Sequence, residues 1–511
     1  MSSWLDVQKN LVKDELIAEI DVETISLTRI GGYKATPYSL NLDLLTKPVA
    51  KSLKGVWRWW ARTAVVGAYY GKIDYKKANE HLSKFFGNTK GIAKFKLEIS
   101  DIKFPDKHEE KLNETIREID KFYEGAKDFL LTRTPKLGLS QDKISIVLNP
   151  VEPKIIINTR GSLDINLKEK IKMQINEGPL KDFFKGEIKS TKKEKIEINL
   201  KISKKISNLY ELIEIPRIKI LLMKRETEED TLSKDNIDND KILNYLKRIK
   251  EEVATLITEG MKFKIAIYGY GNDEEVNFAL SSFLLSLIFG GIGSITKRAF
   301  GSLKISSFTF GNTLEIDHEL KNIIQDLQSK DFTENELKNT IKKLCEIAIK
   351  YAQQSFKIPT IQSAQTIPLV PSLHNIKIEV KESSTVKLDK VGNAFLKQTW
   401  KRNFRISGKN LHTWILGLPR FQQKTGYAKK KNNNYSSERR ISSIGVRYFK
   451  IKNRVFIILY GLLSSDWPEG LLHISRSKKN GKLIETPIEI RGSSLQNAFN
   501  YAFESVLKRC E

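Results

Sequence analysis

Cysteine is nearly missing from this 511-residue chain, which holds only Cys345 and Cys510. That excludes a disulfide framework and a cysteine-based zinc site, and a reducing compartment is the expected setting. Histidine is scarce as well: His81, His108, His318, His374, His412 and His473 are scattered, with no metal-ligand spacing among them. There is no Gly-x-Ser-x-Gly nucleophile elbow and no Cys/His pair with local support. The expectation is a protein that is not an enzyme and carries no metal or cofactor. Asp235, Asp238 and Asp240 are the one acidic group with cation-binding character, but they sit in a charge run that reads as a solvated face. His412 is the only histidine in basic surroundings and the only one to entertain as a general acid or base.

Long apolar runs are also lacking. The longest, around Phe278 to Phe289, is interrupted by serines and is too short to cross a bilayer. The opening residues, Met1-Ser-Ser-Trp-Leu-Asp, show no apolar signal core. A soluble, cytoplasmic protein without a membrane partner is expected. Heavy use of Ile, Lys and Glu with only 4 Met leans towards a thermophile, although an AT-rich genome gives the same bias.

Acidic residues are few relative to basic ones: 61 Asp and Glu against 87 Lys and Arg, a net charge of +26. A compact chain this basic repels itself, so an acidic partner is implied. Nucleic acid comes first, an acidic protein second and an anionic membrane surface third. The deficit is steepest between Phe395 and Tyr460, where sixteen Lys and Arg face Glu438 alone, a net of +15. Aromatics are interleaved there: Trp400, Phe404, Trp414, Phe421, Tyr427 and Tyr435. The piece Gly426 to Arg440, with Lys429, Lys430, Lys431, Arg439 and Arg440, is turn-prone and reads as a flexible loop of the kind that orders on RNA.

Two further segments stand out. Lys51-Ser-Leu-Lys-Gly-Val-Trp-Arg-Trp-Trp-Ala-Arg62 holds three of the seven tryptophans. At about 100° per residue, Lys51, Lys54, Arg58 and Arg62 fall within an arc of about 80°. Leu53, Trp57 and Trp60 take the opposite side, and Trp59 flanks the cations. This predicts a helix over roughly 48–70, with Trp57 and Trp60 in the core and a basic stripe for phosphates beside Trp59. An ordinary amphipathic helix with a solvated basic face has the same pattern. The second segment, residues 290–301, carries Gly290, Gly291, Gly293 and Gly301 with Ser294, Thr296, Lys297 and Arg298. Glycines let a backbone approach a ligand and expose its N–H groups, which suits a phosphodiester. It is no P-loop, because Ser follows Gly293 and a strand comes next, and no dinucleotide fingerprint, because a helix precedes it. A helix terminator with no ligand remains the alternative.

Periodicity organises the rest. Strands are expected at 15–29, 94–102, 262–268 and 303–310, with a helix over 275–289. A Lys/Glu-rich insertion occupies about 105–250, with strands at 155–158 and 195–202 and a helix at 240–257. Residues 314–355 read as a helical bridge, followed by strands near 375–388 and 454–463 and a helix from about 493 to 508. The fold class is α+β. The split order of strands and helices is that of a ferredoxin-like domain, and two copies make the economical reading.

The segments Ser52 to Arg62, Phe289-Gly-Gly-Ile-Gly-Ser-Ile-Thr-Lys-Arg-Ala-Phe-Gly-Ser-Leu303, Trp414-Ile-Leu-Gly-Leu-Pro-Arg420 and Glu438-Arg-Arg-Ile-Ser-Ser-Ile444 together resemble the RAMP superfamily of CRISPR-associated RNA-binding proteins. The glycine loop is similar to that of the superfamily at large. The double-Trp helix and the last two segments resemble one branch, the first Cmr subunit of type III-B RNA-guided effector complexes. Lys54 stands where that branch more often has Arg, which weakens a bidentate phosphate contact there. The resemblance leaves out the insertion.

It implies two tandem ferredoxin-like (RRM-like) domains. The first, 1–313, contains the insertion; the helical bridge and second domain span 314–511. It further implies a non-catalytic subunit for antiviral defence that meets other Cmr subunits. This subunit would contact guide (CRISPR) RNA near its 3′ end and/or the paired target RNA. A RAMP-type metal-independent endoribonuclease that processes guide precursors, and an adaptor without RNA affinity of its own, are the competing readings.

Overall fold

In a computed structural model of the chain, the first strand, β1 (Glu15–Thr24), buries Ala18, Ile20, Val22 and Thr24 at the two-residue period of a pleated chain. The structure describes residues 15–510 except 31–49, 88–92, 139–142, 150, 152, 159–164, 183–186, 193–194, 200–206, 223–230, 235–236, 238, 312–314, 361–364, 397–412, 419, 423–424, 432–433, 437 and 478–481. The described residues divide into two compact units: one within 1–30, 47–105 and 258–511, the other within 106–257. The whole is a mixed assembly of helices and several small sheets.

In the larger unit, β1 joins β2 (Phe95–Lys103), β3 (Lys262–Gly269) and β4 (Leu303–Phe310) in one sheet. The spatial order is β4-β1-β3-β2 and every neighbouring pair is antiparallel. Register is fixed by apolar residues, with Ile20 opposite both Ile265 and Phe308. Helix α1 (Ala50–Ala68) and the shorter α2 (Tyr75–Phe86) come between β1 and β2 in sequence. Helix α3 (Asp273–Leu285) comes between β3 and β4; it starts at a capping box, Asn272 with Glu275, and all residues from Val276 onward are buried. A single wider turn, Ser286–Gly290, ends it. Trp57 of α1 fills the seam between these elements. Its ring lies 4.7 Å from Phe86 and 5.1 Å from Phe283, and its indole N–H donates to Ser282 Oγ at 2.9 Å.

Helices α4 (His318–Ser329) and α5 (Glu334–Ser355) follow, and α5 packs on α1 and α3. A second sheet then forms from β5 (Ile376–Ser383), β6 (Ile444–Ile451) and β7 (Arg454–Leu462), in the order β5-β7-β6. Helix α6 (Leu388–Ala394) lies between β5 and β6 in sequence, and the final helix α7 (Gly492–Cys510) packs against β7. A further sheet, built on Thr425–Lys431 and Leu471–Arg476, corrects the expectation of a flexible loop over 426–440. Gly426, Tyr427 and Ala428 are buried there in cross-strand register with Ile474, His473 and Leu472, and Asn434–Ser436 returns as a short hairpin arm.

The smaller unit is the insertion. It has its own antiparallel sheet, in the order Glu187–Lys192, Lys195–Asn199, Lys154–Asn158, Ile144–Val147, Thr231–Leu232. Helix His108–Asp128 packs against Asp240–Ala254. It is more ordered than isolated apolar patches implied, because Ile144, Ile146, Ile155, Ile157 and Ile198 share one core. No helix among the described residues is long and apolar enough to cross a membrane.

Candidate nucleic-acid interface

Helix α1 buries Leu53, Trp57, Trp60, Ala61 and Ala64, while Trp59 stays half-buried on the flank. Of the basic stripe, Lys51 is exposed and Lys54, Arg58 and Arg62 are half-buried. Among the described residues none of the four forms an ion pair with a carboxylate. Burial, then the charges of Arg58 and Lys96, lower the Lys54 ammonium from its ordinary value. Burial lowers Arg62, whose guanidinium lies 5.5 Å from the Tyr75 ring. Arg58 donates to the Gly87 carbonyl at 3.3 Å. Lys51 and Lys54 occupy the N-terminal turns of α1, where no acid stands and where cations oppose the helix dipole. These cations weaken the helix that carries them, so helix stability does not explain the stripe.

The glycine loop is spent differently from the expected exposed cradle. Gly290 and Gly291 are buried. A Cβ on Gly290 would meet Val56 at 2.3 Å, and one on Gly301 would meet the Ile292 carbonyl oxygen at 1.9 Å. The N–H groups of Ile292, Ser294, Arg298, Ala299 and Gly301 are hydrogen-bonded to Gly301, Arg29, Ile295, Thr296 and Leu27 carbonyls. The Ser294 hydroxyl is engaged with Arg29, and the Thr296 carbonyl is taken by Arg447. Only Gly293 is exposed, with φ +81°. What the loop presents outward is side chains. Arg298 lies 5.2 Å from the Phe395 ring. Lys297 Nζ sits 4.7 Å from the ring centroids of both Trp59 and Tyr460. Burial, then the charge of Arg440, push the Lys297 amine down to about 7.

Three segments that are remote in sequence meet at this lysine. A cleft of about 290 Å³ is lined by Trp59, Tyr75, Lys297, Arg439, Arg440 and Asp466, with Ile441 at 59% exposure adding an apolar surface. Arg439 is exposed. Arg440 is committed within the protein: its guanidinium bonds Asp466 Oδ1 at 2.6 Å and Ser464 Oγ at 2.7 Å and lies 3.7 Å over the Trp467 ring. Only 8% of its side chain is exposed, so the guanidinium expected to meet phosphate is held by protein partners at the cleft wall. Lys429, Lys430 and Lys431 belong to the strand Thr425–Lys431, and among the described side chains Lys429 and Lys430 are not part of the cleft lining. Lys430 is paired to Glu485 at 2.9 Å.

Sequence reading missed Tyr75, Tyr460, Arg447 and Asp466. Tyr460 lies in an apolar strand, and nothing in its sequence surroundings distinguishes it from core. Arg447 carried one signal, a lone arginine inside the otherwise apolar run Ile444 to Phe449. His412, Trp400, Phe404, Asp235 and Asp238 lie outside the described residues. Among the described residues no group of three or more His, Cys, Asp and Glu is placed to hold a metal ion.

The chain is 24% identical over 472 residues to the CRISPR system CMR subunit Cmr1 of Saccharolobus solfataricus, covering 85% of this chain and 92% of that protein. One chain of a cryo-EM structure of type III-B Cmr-beta, bound to cognate target RNA and AMPPnP in the presence of ssDNA, matches with a TM-score of 0.51. That alignment covers 97% of this chain and 100% of the other at 16% identity, a likeness of fold. The RAMP superfamily model matches residues 22–304. Over more than half its length, from β1 through the basic helix and the glycine loop into β4, the chain meets that description: it belongs to the RAMP superfamily.

Proposed function

We propose that this protein is a non-catalytic RNA-binding subunit of a type III-B CRISPR (Cmr) effector complex. It holds guide RNA near its 3′ end and/or the paired target RNA, beside other Cmr subunits. The observation that carries this reading is the convergence of half-buried Trp59, Lys297 and exposed Arg439 on one cleft. The α1 stripe of Lys51, Lys54, Arg58 and Arg62 extends the basic surface from the helix that carries Trp59. Cations for phosphates next to an aromatic face are what a single strand requires, and sequence is left to base pairing with the guide. The likeness to Cmr1, which spans 92% of that protein, supports the placement in such a complex.

The architecture we propose for it is two tandem ferredoxin-like domains divided near residue 313, with α4 and α5 as the bridge. The β4-β1-β3-β2 order, with α1 after β1 and α3 after β3, supports the first. The succession β5, α6, β6, β7, α7 in the order β5-β7-β6 supports a second that stops one strand short.

The test is binding of the full chain to labelled single-stranded RNA across a salt series, for wild type and Lys54→Ala/Arg58→Ala/Arg439→Ala. Each lost phosphate contact reduces the slope of log K against log salt by about 0.7 for a single strand. Affinity should fall alike for unrelated sequences. An unchanged slope in the triple variant overturns the reading.

A further inference from the structure

The Lys297 amine is placed for chemistry as well as for charge. Its loop is fixed from beneath, where Val446 N–H donates to the Lys297 carbonyl at 3.0 Å and Arg447 donates to the Thr296 carbonyl at 2.8 Å. Its Nζ stands over two rings, Trp59 and Tyr460, and faces the cleft. Among the described residues no carboxylate forms an ion pair with it. Asp466, the acid lining the same cleft, is engaged by Arg440 at 2.6 Å, Ser464 at 2.6 Å and Tyr75 at 2.8 Å. The other charged groups in the lining are the cations Arg439 and Arg440, and Arg447 lies beneath the loop. Burial and Arg440 bring the amine to about 7, while the two aromatic faces return part of the lost solvation of the ammonium. A substantial share of this lysine is then a neutral nucleophile at physiological pH. Exposed Arg439 at the same cleft draws anionic reagents towards it.

We propose that Lys297 is a site of covalent acylation by small acyl phosphates, which removes from the centre of the cleft the amine that would take up a proton to meet a phosphate. The Nζ lone pair attacks the acyl carbon and an N–C bond forms. The C–O bond to phosphate breaks, phosphate leaves with that electron pair, and the proton released by nitrogen passes to phosphate or water. The consequence for RNA rests on the function proposed above; the acylation itself does not.

The experiment incubates the full chain with acetyl phosphate at about pH 7.5 and follows acetyl occupancy at each lysine by peptide mass spectrometry. Lys430 is the internal reference: it is exposed and its pairing with Glu485 raises its pKa, so it stays an ammonium. Relative to an ordinary lysine, Lys297 holds roughly 600-fold more neutral amine at that pH. If nucleophilicity falls with basicity as steeply as for thiols, about thirtyfold of this is given back. Lys297 should therefore acylate on the order of tenfold faster than Lys430. Its rate should level off above neutral pH while that of Lys430 keeps rising, and Lys297→Arg should abolish the labelled peptide. Equal or slower labelling at Lys297, or a pH profile parallel to that of Lys430, overturns the proposal. Added single-stranded RNA should slow labelling at Lys297 and not at Lys430. Fast labelling that RNA leaves unprotected keeps the acylation site and instead removes the RNA reading of the cleft.

Discussion

Replacing Arg447 by methionine keeps the length of the side chain and removes every donor. Arg447 is fully buried on β6, at 0% exposure. Its Nη1 donates to the carbonyls of Thr296 at 2.8 Å and Phe300 at 2.6 Å, and its Nη2 to that of Gly301 at 2.6 Å. All three acceptors belong to the glycine loop, so one guanidinium shapes the segment that presents Lys297. Burial pushes its pKa down to about 10, which still leaves it charged at neutral pH. Each of the three carbonyls loses a hydrogen bond from a charged donor, about 1.5–3 kcal/mol apiece, although those of Gly301 and Thr296 keep the Ile292 and Ala299 amides. Against this, Arg447→Met relieves the desolvation of a buried charge, several kcal/mol. The expected net is a local destabilisation of about 3 kcal/mol, confined to the loop.

The two units need not unfold together, so a global midpoint is a poor readout. Hydrogen exchange reads the loop directly through the amides of Ile292, Arg298, Ala299 and Gly301, all hydrogen-bonded in the native protein. At 1.4 kcal/mol per decade, their exchange should quicken by about two orders of magnitude, while amides of β1 and β3 keep their protection. Gly291→Ala should act on the same contact, since its Cβ would lie 1.8 Å from Arg447 Nη2 at a φ of +69°. The double variant should then be less affected than the sum of the singles. Unchanged loop protection in Arg447→Met would falsify the template role.

The tryptophans of α1 should separate by assay. Trp57→Ala empties a site packed by Phe86, Phe283 and Ser282 and should lower the stability read by hydrogen exchange at the α1 and α3 amides by roughly 3–5 kcal/mol. Trp59→Ala, at a half-buried position, should change stability far less and RNA affinity more; the reverse ranking refutes the assignment of faces. Asp317 supplies a pH test. Burial raises its pKa, but hydrogen bonds from Tyr351, the Leu320 amide and Lys350 outweigh that and hold the carboxyl below its ordinary value. A depressed folded pKa means stability that is present above the unfolded value and is lost as pH falls through the folded one. The thermal-stability gap between wild type and Asp317→Asn should therefore narrow as pH falls below about 5, and a constant gap refutes the linkage.

Elements with one buried face were legible before any coordinates. The alternation in β1 and the basic stripe of α1 each match a period to a single environment, and the structure puts them at Glu15–Thr24 and Ala50–Ala68. Strand β6 went unread because it is buried almost throughout, so its residues carry no alternation. The 426–440 segment was misread for the opposite reason. Its Gly, Asn and Lys favour turns locally, but pairing with Leu471–Arg476 overrides that preference. Charge counting has a comparable blind spot: it scores Arg439 and Arg440 alike, yet one is exposed and the other is locked to Asp466.

The glycine loop shows how one sequence pattern serves two different kinds of close packing. Four glycines beside Lys297 and Arg298 were read as backbone opened towards a phosphate. The space they leave admits protein instead: Val56 and Trp60 at Gly290, Arg447 at Gly291, the Arg29 carbonyl at Gly293 and the Ile292 carbonyl at Gly301. A sequence pattern reports that a Cβ is excluded; it does not report what excludes it. Here an internal guanidinium occupies the place first assigned to an external anion, on the carbonyl side of the loop and not the N–H side. The loop is thereby a hydrogen-bonded mount for one side chain, Lys297, held between Trp59 and Tyr460. That contact brings the basic helix and the loop to one surface although they are remote in sequence. The helix supplies the ring against which the loop's lysine is set.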